Sequence, residues 1–202
     1  MLFAGVVNAS TLFVSNVDLS RGGNVDFKED GVNTVNGYAG AILGTFAGTN
    51  VSPLFCVDLF TPISLGSYNS TPITPRVLRN EDRVAWLYVN QLFTVTTATA
   101  GEAFQLAIWD IIHDNGDGIS SGLIQGAATT PLAVSNAWTN YLSLSLGQSL
   151  LTGVSIYQNT VISNGSPAQT LIGAAAPTPE PGTWALVAVG MAGIAAQKRR
   201  RS

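Results

Sequence analysis

A glutamine in the middle of an apolar helical stripe is the feature that most restricts how this chain can fold. From Gly101 to His113 the apolar residues recur with helical spacing. Gln105, Ile108, Trp109 and Ile112 fall at i, i+3, i+4 and i+7, so the spacing puts the glutamine on the apolar face. A primary amide carries two donors and two acceptor lone pairs, and burying it without partners costs on the order of 1–3 kcal/mol. The fold must therefore bring something polar or reactive to that face. Cys56, the only cysteine, sits in an apolar, strand-like run, Pro53-Leu54-Phe55-Cys56-Val57-Asp58-Leu59-Phe60. Attack of its sulfur on the Gln105 side-chain carbonyl, with release of ammonia, would resolve the buried amide and leave an internal thioester.

The two segments Phe55-Cys56-Val57-Asp58 and Phe104-Gln105-Leu106-Ala107-Ile108-Trp109 resemble the paired signatures of bacterial thioester domains. There an aromatic-Cys-apolar-acid segment and a later apolar-Gln-x-x-apolar-Trp segment supply the halves of the bond. Gln105-Leu106-Ala107 also fits the Gln-x-Ala core of that family, and the match covers roughly Ser10 to Leu171. The resemblance implies a covalent harpoon, opened by an amine on a target surface to leave an amide crosslink, and a β-then-helical fold. Phe55, Phe104 and Ile108 would form the surroundings of the bond. Trp109, one turn past Gln105, would cover it and exclude water. Asp58 shares a strand face with Cys56 and would position the attacking amine or assist proton transfer, with a solvent-facing salt bridge as the plainer alternative.

The chain has 202 residues, enough for one sizeable domain with a hydrophobic core. Only 10% of its residues are charged, far below the usual quarter or so, and Asn, Ser, Thr and Gly carry its solubility instead. The formal charge of −3 hides an asymmetry, because Lys198-Arg199-Arg200-Arg201 concentrates basic residues at the end. The body before it is acidic, which argues against nucleic acid as a partner. Lys28 is the only lysine before the tail; a protein with an amine-reactive bond benefits from few lysines of its own, although compositional drift gives the same result. A single cysteine excludes an internal disulfide framework and a Cys-based zinc site, and in an exported protein it points to a reactive thiol, an intermolecular bond or a covalent device.

Residues 1–9 read as the end of a signal peptide, finishing in Val7-Asn8-Ala9, with a buried first strand as the alternative. From Thr11 to Phe60 the pattern is β, punctuated by Gly22-Gly23, Asp30-Gly31, Asn36-Gly37 and Gly48, with a hairpin expected at Asn36-Gly37 and Cys56 on an internal strand. Pro62, Pro72 and Pro75 then break the strands. Asn80 is the expected cap of a helix with Glu81 and Asp82 in its first turn and Val84, Leu87, Tyr88 and Leu92 as its stripe. Thr99-x-x-Glu102 fits a capping box for the Gln105 helix, which should end before Asn115-Gly116. A third helix is expected with Thr130 as cap and Pro131 at its first position, burying Val134, Trp138, Tyr141 and Leu142. Strands return at Val154–Tyr157 and Gln169–Ile172. The fold class is mixed α+β: a β-sandwich or barrel with a helical insertion over 10–173, then a linker and a short apolar sorting helix over 174–202.

In that last segment Pro179-Glu180-Pro181 is followed by an apolar run from Trp184 to Ala196 and the basic cluster Lys198-Arg199-Arg200-Arg201. The run is shorter than the roughly 20 residues that cross a bilayer comfortably. The order of the three parts resembles the PEP-CTERM sorting signal of Gram-negative bacteria, which implies Pro179, Glu180, Pro181, Arg199, Arg200 and Arg201 as signal residues and an exosortase-type membrane protease-transpeptidase as processing partner. The protein would be held briefly in the membrane by this helix and released to the cell surface or extracellular matrix.

Two other chemistries carry less weight. His113, the sole histidine, with Cys56 and Asp110 or Asp114 suggests a cysteine hydrolase, but no local nucleophile signature surrounds Cys56. Asp114-Asn115-Gly116-Asp117-Gly118 offers oxygen ligands, yet lacks the remaining spacing and closing glutamate of an EF-hand loop, so a solvated turn is favoured over a metal. The sequence thus favours an exported, non-enzymatic protein without a cofactor. Its Cys56–Gln105 thioester would capture one nucleophile: a protein lysine, a polyamine or a carbohydrate hydroxyl. The alternative is a non-covalent component of an exopolysaccharide or biofilm matrix with a buried free Cys56.

Overall fold

A computed structural model describes residues 10–61, 63–159 and 169–176. The expected leader over 1–9 and the sorting segment from Pro177 onward lie outside the described residues. The compact body comprises Asn8–Ala176.

The body is built on a long antiparallel hairpin, β1 (Ser10–Lys28) and β2 (Thr34–Phe46). Its turn forms at Asp30-Gly31. Asp30 Oδ1 accepts the N–H groups of Val32 and Asn33, and Gly31 adopts a φ of 74° that an L side chain resists. The hairpin expected at Asn36-Gly37 is therefore corrected: both residues lie inside β2, opposite Asp26 and Val25. The earlier aspartate turn sets the register, and Asn36 Nδ2 donates across the ladder to Asp26 Oδ1 at 2.6 Å. The pairing slips between Val14 and Asn16 and again between Val17 and Gly22, which lets so long a strand bend.

Short strands extend this hairpin on both sides: β3 (Thr49–Asn50), β4 (Phe55–Cys56), β5 (Gly66–Ile73), and, after the helices, β7 (Val154–Asn159) and β8 (Leu171–Ala174). The order in the sheet is β3-β2-β1-β5-β7-β8-β4, with β6 (Gln125–Gly126) paired to the far end of β1. The result is one curled antiparallel sheet, a half-barrel, and not the two facing sheets of a sandwich. The curl brings its ends together: Leu54, just before β4, exchanges both backbone hydrogen bonds with Ile42 of β2, each 2.8 Å. Cys56 accordingly lies on a two-residue strand at the end of the ladder, and not on an internal strand. The proline at position 53 and the turn after Cys56 leave no room for a longer one.

Three helices lie between β5 and β7: α1 (Glu81–Gln91), α2 (Ala98–Asp114) and α3 (Leu132–Ser145). Their buried stripes are those read from spacing, Val84, Leu87 and Tyr88 on α1 and Val134, Trp138, Tyr141 and Leu142 on α3; Leu92 falls just past the end of α1. The caps differ. Asn80 takes a left-handed conformation without capping, and its Nδ2 instead donates to Ile111 O and Asn115 Oδ1, tying α1 to the end of α2. Thr97, and not Thr99, caps α2, accepting from Ala100 N at 3.2 Å. Thr130 is likewise diverted: its hydroxyl donates to Asp26 O and accepts from Ala127 N, so α3 starts after Pro131 without a side-chain cap.

The helices and the sheet meet in an aromatic chain. Phe55 of β4 packs on Phe104 of α2 with ring centroids 4.8 Å apart, and edge-on against Tyr88 of α1 at 6.3 Å; Phe104 meets Tyr141 of α3 at 5.2 Å. Burial of such rings adds apolar area to the core, each contact contributing roughly 0.5–1.5 kcal/mol beyond that area. Their two central members immediately precede Cys56 and Gln105.

Candidate functional site

Gln105 is buried on α2, and its amide meets Cys56. Oε1 accepts the Cys56 backbone N–H at 2.8 Å while Nε2 donates to the Cys56 carbonyl at 2.7 Å. The peptide fixes which end of the amide is which, since an N–H needs an acceptor and a C=O needs a donor. The periodicity of α2 explains the placement: a polar residue on the face that packs against the sheet must find a polar group there, and a two-residue strand leaves one edge of its backbone without a ladder partner. On its other edge β4 pairs with β8, Cys56 opposite Leu171.

The thiol has its own partner. Cys56 Sγ donates to Gln169 Oε1 at 2.9 Å, and Gln169 Nε2 donates in turn to the Asp58 carbonyl through a short contact. Gln169, itself buried, is the member of the site that sequence reading missed. Its only signal was a polar residue entering an apolar strand. Burial, reinforced by the negative charge of Asp58, pushes the Cys56 thiol well above the ordinary range, and the Gln169 hydrogen bond only partly offsets this. The sulfur is therefore a neutral thiol at physiological pH.

The remaining sequence candidates divide. Phe55 and Phe104 shield the pair from the core side, and Ile108 continues the buried face one turn on. Trp109, one turn past Gln105, is buried and packs on Phe27 of β1, centroids 5.4 Å apart. Asp58 is half-buried and ties down its own loop, Oδ1 accepting from Phe60 N and Oδ2 from the Thr61 hydroxyl. His113 Nε2 accepts from Leu59 N at a long 3.5 Å and its ring stands edge-on to Phe60; burial lowers its pKa against the pull of Asp58 and Asp114. Since the thiol hydrogen bonds to Gln169 and the imidazole faces the Leu59 loop, the pairing that a cysteine hydrolase requires is not made.

Beside the site opens a cleft of about 450 Å³, bordered by Val57, Asp58, Arg79, Glu81, His113 and Thr170. Val57 follows Cys56 and Thr170 follows Gln169, so its wall is the backbone around the sulfur. A larger hollow of about 600 Å³, bounded by Arg21, Tyr88, Phe93 and Ala174, includes none of these groups.

Native Cys56 is expected to alkylate at least ~10-fold more slowly at about pH 8 than the same chain in urea, because reactivity follows exposed thiolate. Equal rates by mass spectrometry would show that the thiol is not held as described.

Among known protein families, residues 177–201 match the PEP-CTERM protein-sorting motif. No curated protein and no solved structure matches the chain. The motif makes this an exosortase substrate, exported and processed at the membrane. It lies outside the body that holds Cys56 and Gln105, and so bears on routing and not on the chemistry of the body.

Proposed function

We propose that the body forms an internal thioester between Cys56 Sγ and Gln105 Cδ and uses it once to capture a nucleophile on a partner surface. The observation that carries this reading is the reciprocal pairing of the Gln105 amide with the peptide of Cys56. Two residues 49 positions apart are in contact, with the carbonyl to be attacked already accepting a backbone N–H. That N–H polarises the carbonyl and would stabilise the oxyanion as sulfur adds. The S–Cδ bond forms, the Cδ–Nε2 bond breaks, and the thiol proton leaves with the nitrogen as ammonia. Capture reverses the roles: a neutral amine adds to Cδ, the C–S bond breaks, and the proton returns to sulfur, leaving an amide crosslink and a free thiol. The cleft bordered by Val57, Asp58 and Thr170 would admit the amine. One capture per chain makes this a covalent adhesive and not an enzyme. Protein lysines, polyamines and carbohydrate hydroxyls remain the candidate targets.

A second reading has its own support. The amide of Gln105 is satisfied by hydrogen bonds alone, and the thiol by Gln169, as a non-covalent matrix component with a buried free cysteine requires. Intact mass separates the two. A thioester makes the purified protein lighter by one ammonia, with Cys56→Ala and Gln105→Ala each abolishing the loss, and methylamine restores a free thiol while adding one amine. Full sequence mass with one alkylatable thiol after unfolding retires the thioester and leaves the matrix reading.

A further inference from the structure

We propose that Asp110, Asp114 and Asp117 form a binding site for a divalent cation, calcium by the character of its ligands. Asp110 and Asp114 stand one turn apart on the same face of α2, and the left-handed Asn115 that ends the helix turns the chain so that Asp117 comes back toward them. One carboxylate oxygen from each lies within 4.8 Å of the others. Oxygens bound to one calcium at 2.3–2.6 Å are at most about 5 Å apart, so the spacing suits a shared ion.

Three acids close together would mean little without the state of the first. Asp110 is wholly buried, its Oδ2 accepts the Trp138 indole N–H at 3.1 Å, and its Oδ1 has no hydrogen-bond partner. A buried carboxylate with one oxygen unmet, facing two further carboxylates, is costly unless a proton or a cation joins it. Asp117 and Asp114 repel its charge, while the indole of Trp138 favours it. Arg83 attracts Asp110 at a distance, but its hydrogen bonds go to Ser145 Oγ, Asn115 O and Leu142 O.

The loop closes over the same place. Asp114 Oδ2 accepts the N–H groups of Leu123 and Ile124 at 2.9 and 2.7 Å, which leaves Oδ1 for a ligand. At Gly122 a side chain would meet the Asp114 carboxyl carbon at 2.6 Å and Asp117 Oδ1 at 2.9 Å, so the backbone approaches the carboxylates as closely as a glycine permits. Hard oxygen ligands without sulfur or imidazole favour calcium over zinc, and carboxylates on an irregular loop suit its flexible shell better than the octahedron of magnesium. Exported proteins meet calcium at levels that fill sites of modest affinity, with dissociation constants on the order of 10⁻⁴–10⁻³ M. Asp117 is the exposed member and so the position through which the ion would enter.

The test is thermal unfolding of the full chain in EDTA, in about 5 mM calcium and in magnesium at the same level, with calorimetric titration of calcium alone. Calcium should raise the midpoint by roughly 3–8 °C and bind one per chain, magnesium clearly less. Asp117→Asn, which removes a charge that repels Asp110, should leave the EDTA midpoint no lower and lose the calcium shift; Asp110→Asn should lose it too. A midpoint indifferent to calcium overturns the site, and so does a full shift retained in Asp117→Asn. Neither result touches the Cys56–Gln105 reading.

Discussion

Gln105→Leu is expected to lower the stability of the body by about 2–5 kcal/mol, since it leaves the N–H and the C=O of Cys56 buried and unpaired at about 1–3 kcal/mol each. Leucine keeps most of the volume, so the loss reports hydrogen bonding and not a cavity. Urea unfolding followed by tryptophan fluorescence measures it. The comparison that matters is the same substitution in a Cys56→Ala background, where no thioester can form but the backbone groups remain. A pair that works by hydrogen bonds loses as much there as in the parent. A covalent staple loses its share already on Cys56→Ala, and the second substitution then removes only the remainder. A drop below about 1 kcal/mol in both backgrounds would mean that water or another group replaces the amide, against the arrangement described.

Gly101→Ala should destabilise by about 2 kcal/mol or more, although alanine in a helix ordinarily gains up to about 1 kcal/mol over glycine. Gly101 lies in the first turn of α2, where an added Cβ would come within 1.9 Å of the Arg21 carbonyl on β1. That atom is backbone, so relief requires the helix to lift from the sheet, and Gln105 one turn on would lift with it. The variant should therefore lose the protection of Cys56 from alkylation together with its stability. Unchanged stability would show that α2 does not seat on β1 through this glycine.

The parts of this architecture that could be read from the sequence are those governed by short spacing. The stripes of α1 and α3, the end of α2 at Asn115 and the burial of Gln105 follow from a 3.6-residue period that neighbours in sequence impose on one another. The misreadings share a different cause. Asn80, Thr99 and Thr130 are good local caps, but Asn80 and Thr130 bond to groups on remote segments, Ile111 O and Asp26 O, and Thr97 displaced Thr99. Asn36-Gly37 is a favourable turn that lost to Asp30-Gly31 because only the latter leaves β2 in register with β1. The curl of the sheet depends on Leu54 meeting Ile42, and the role of Gln169 on β8 meeting β4; neither pairing has any local trace. The same distance hid Asp110, whose helical position says buried while its partner Trp138 lies on another helix.

The strand β8 is the last of the described sheet, and Cys56 must wait for it. The thiol is separated from Gln169 by 113 residues, more than twice its separation from Gln105, so the two glutamines reach it at different times as a chain emerges from the export channel N-terminus first. Closing so distant a contact is slow compared with the local helices, and its entropic penalty rises with the length of chain to be closed. During that interval the sulfur has Gln105 beside it and no Gln169 to receive its proton. An oxidant met during export thus finds an accessible cysteine before β8 has arrived, and the race between the arrival of β8 and oxidation decides what fraction of molecules keeps its thiol intact.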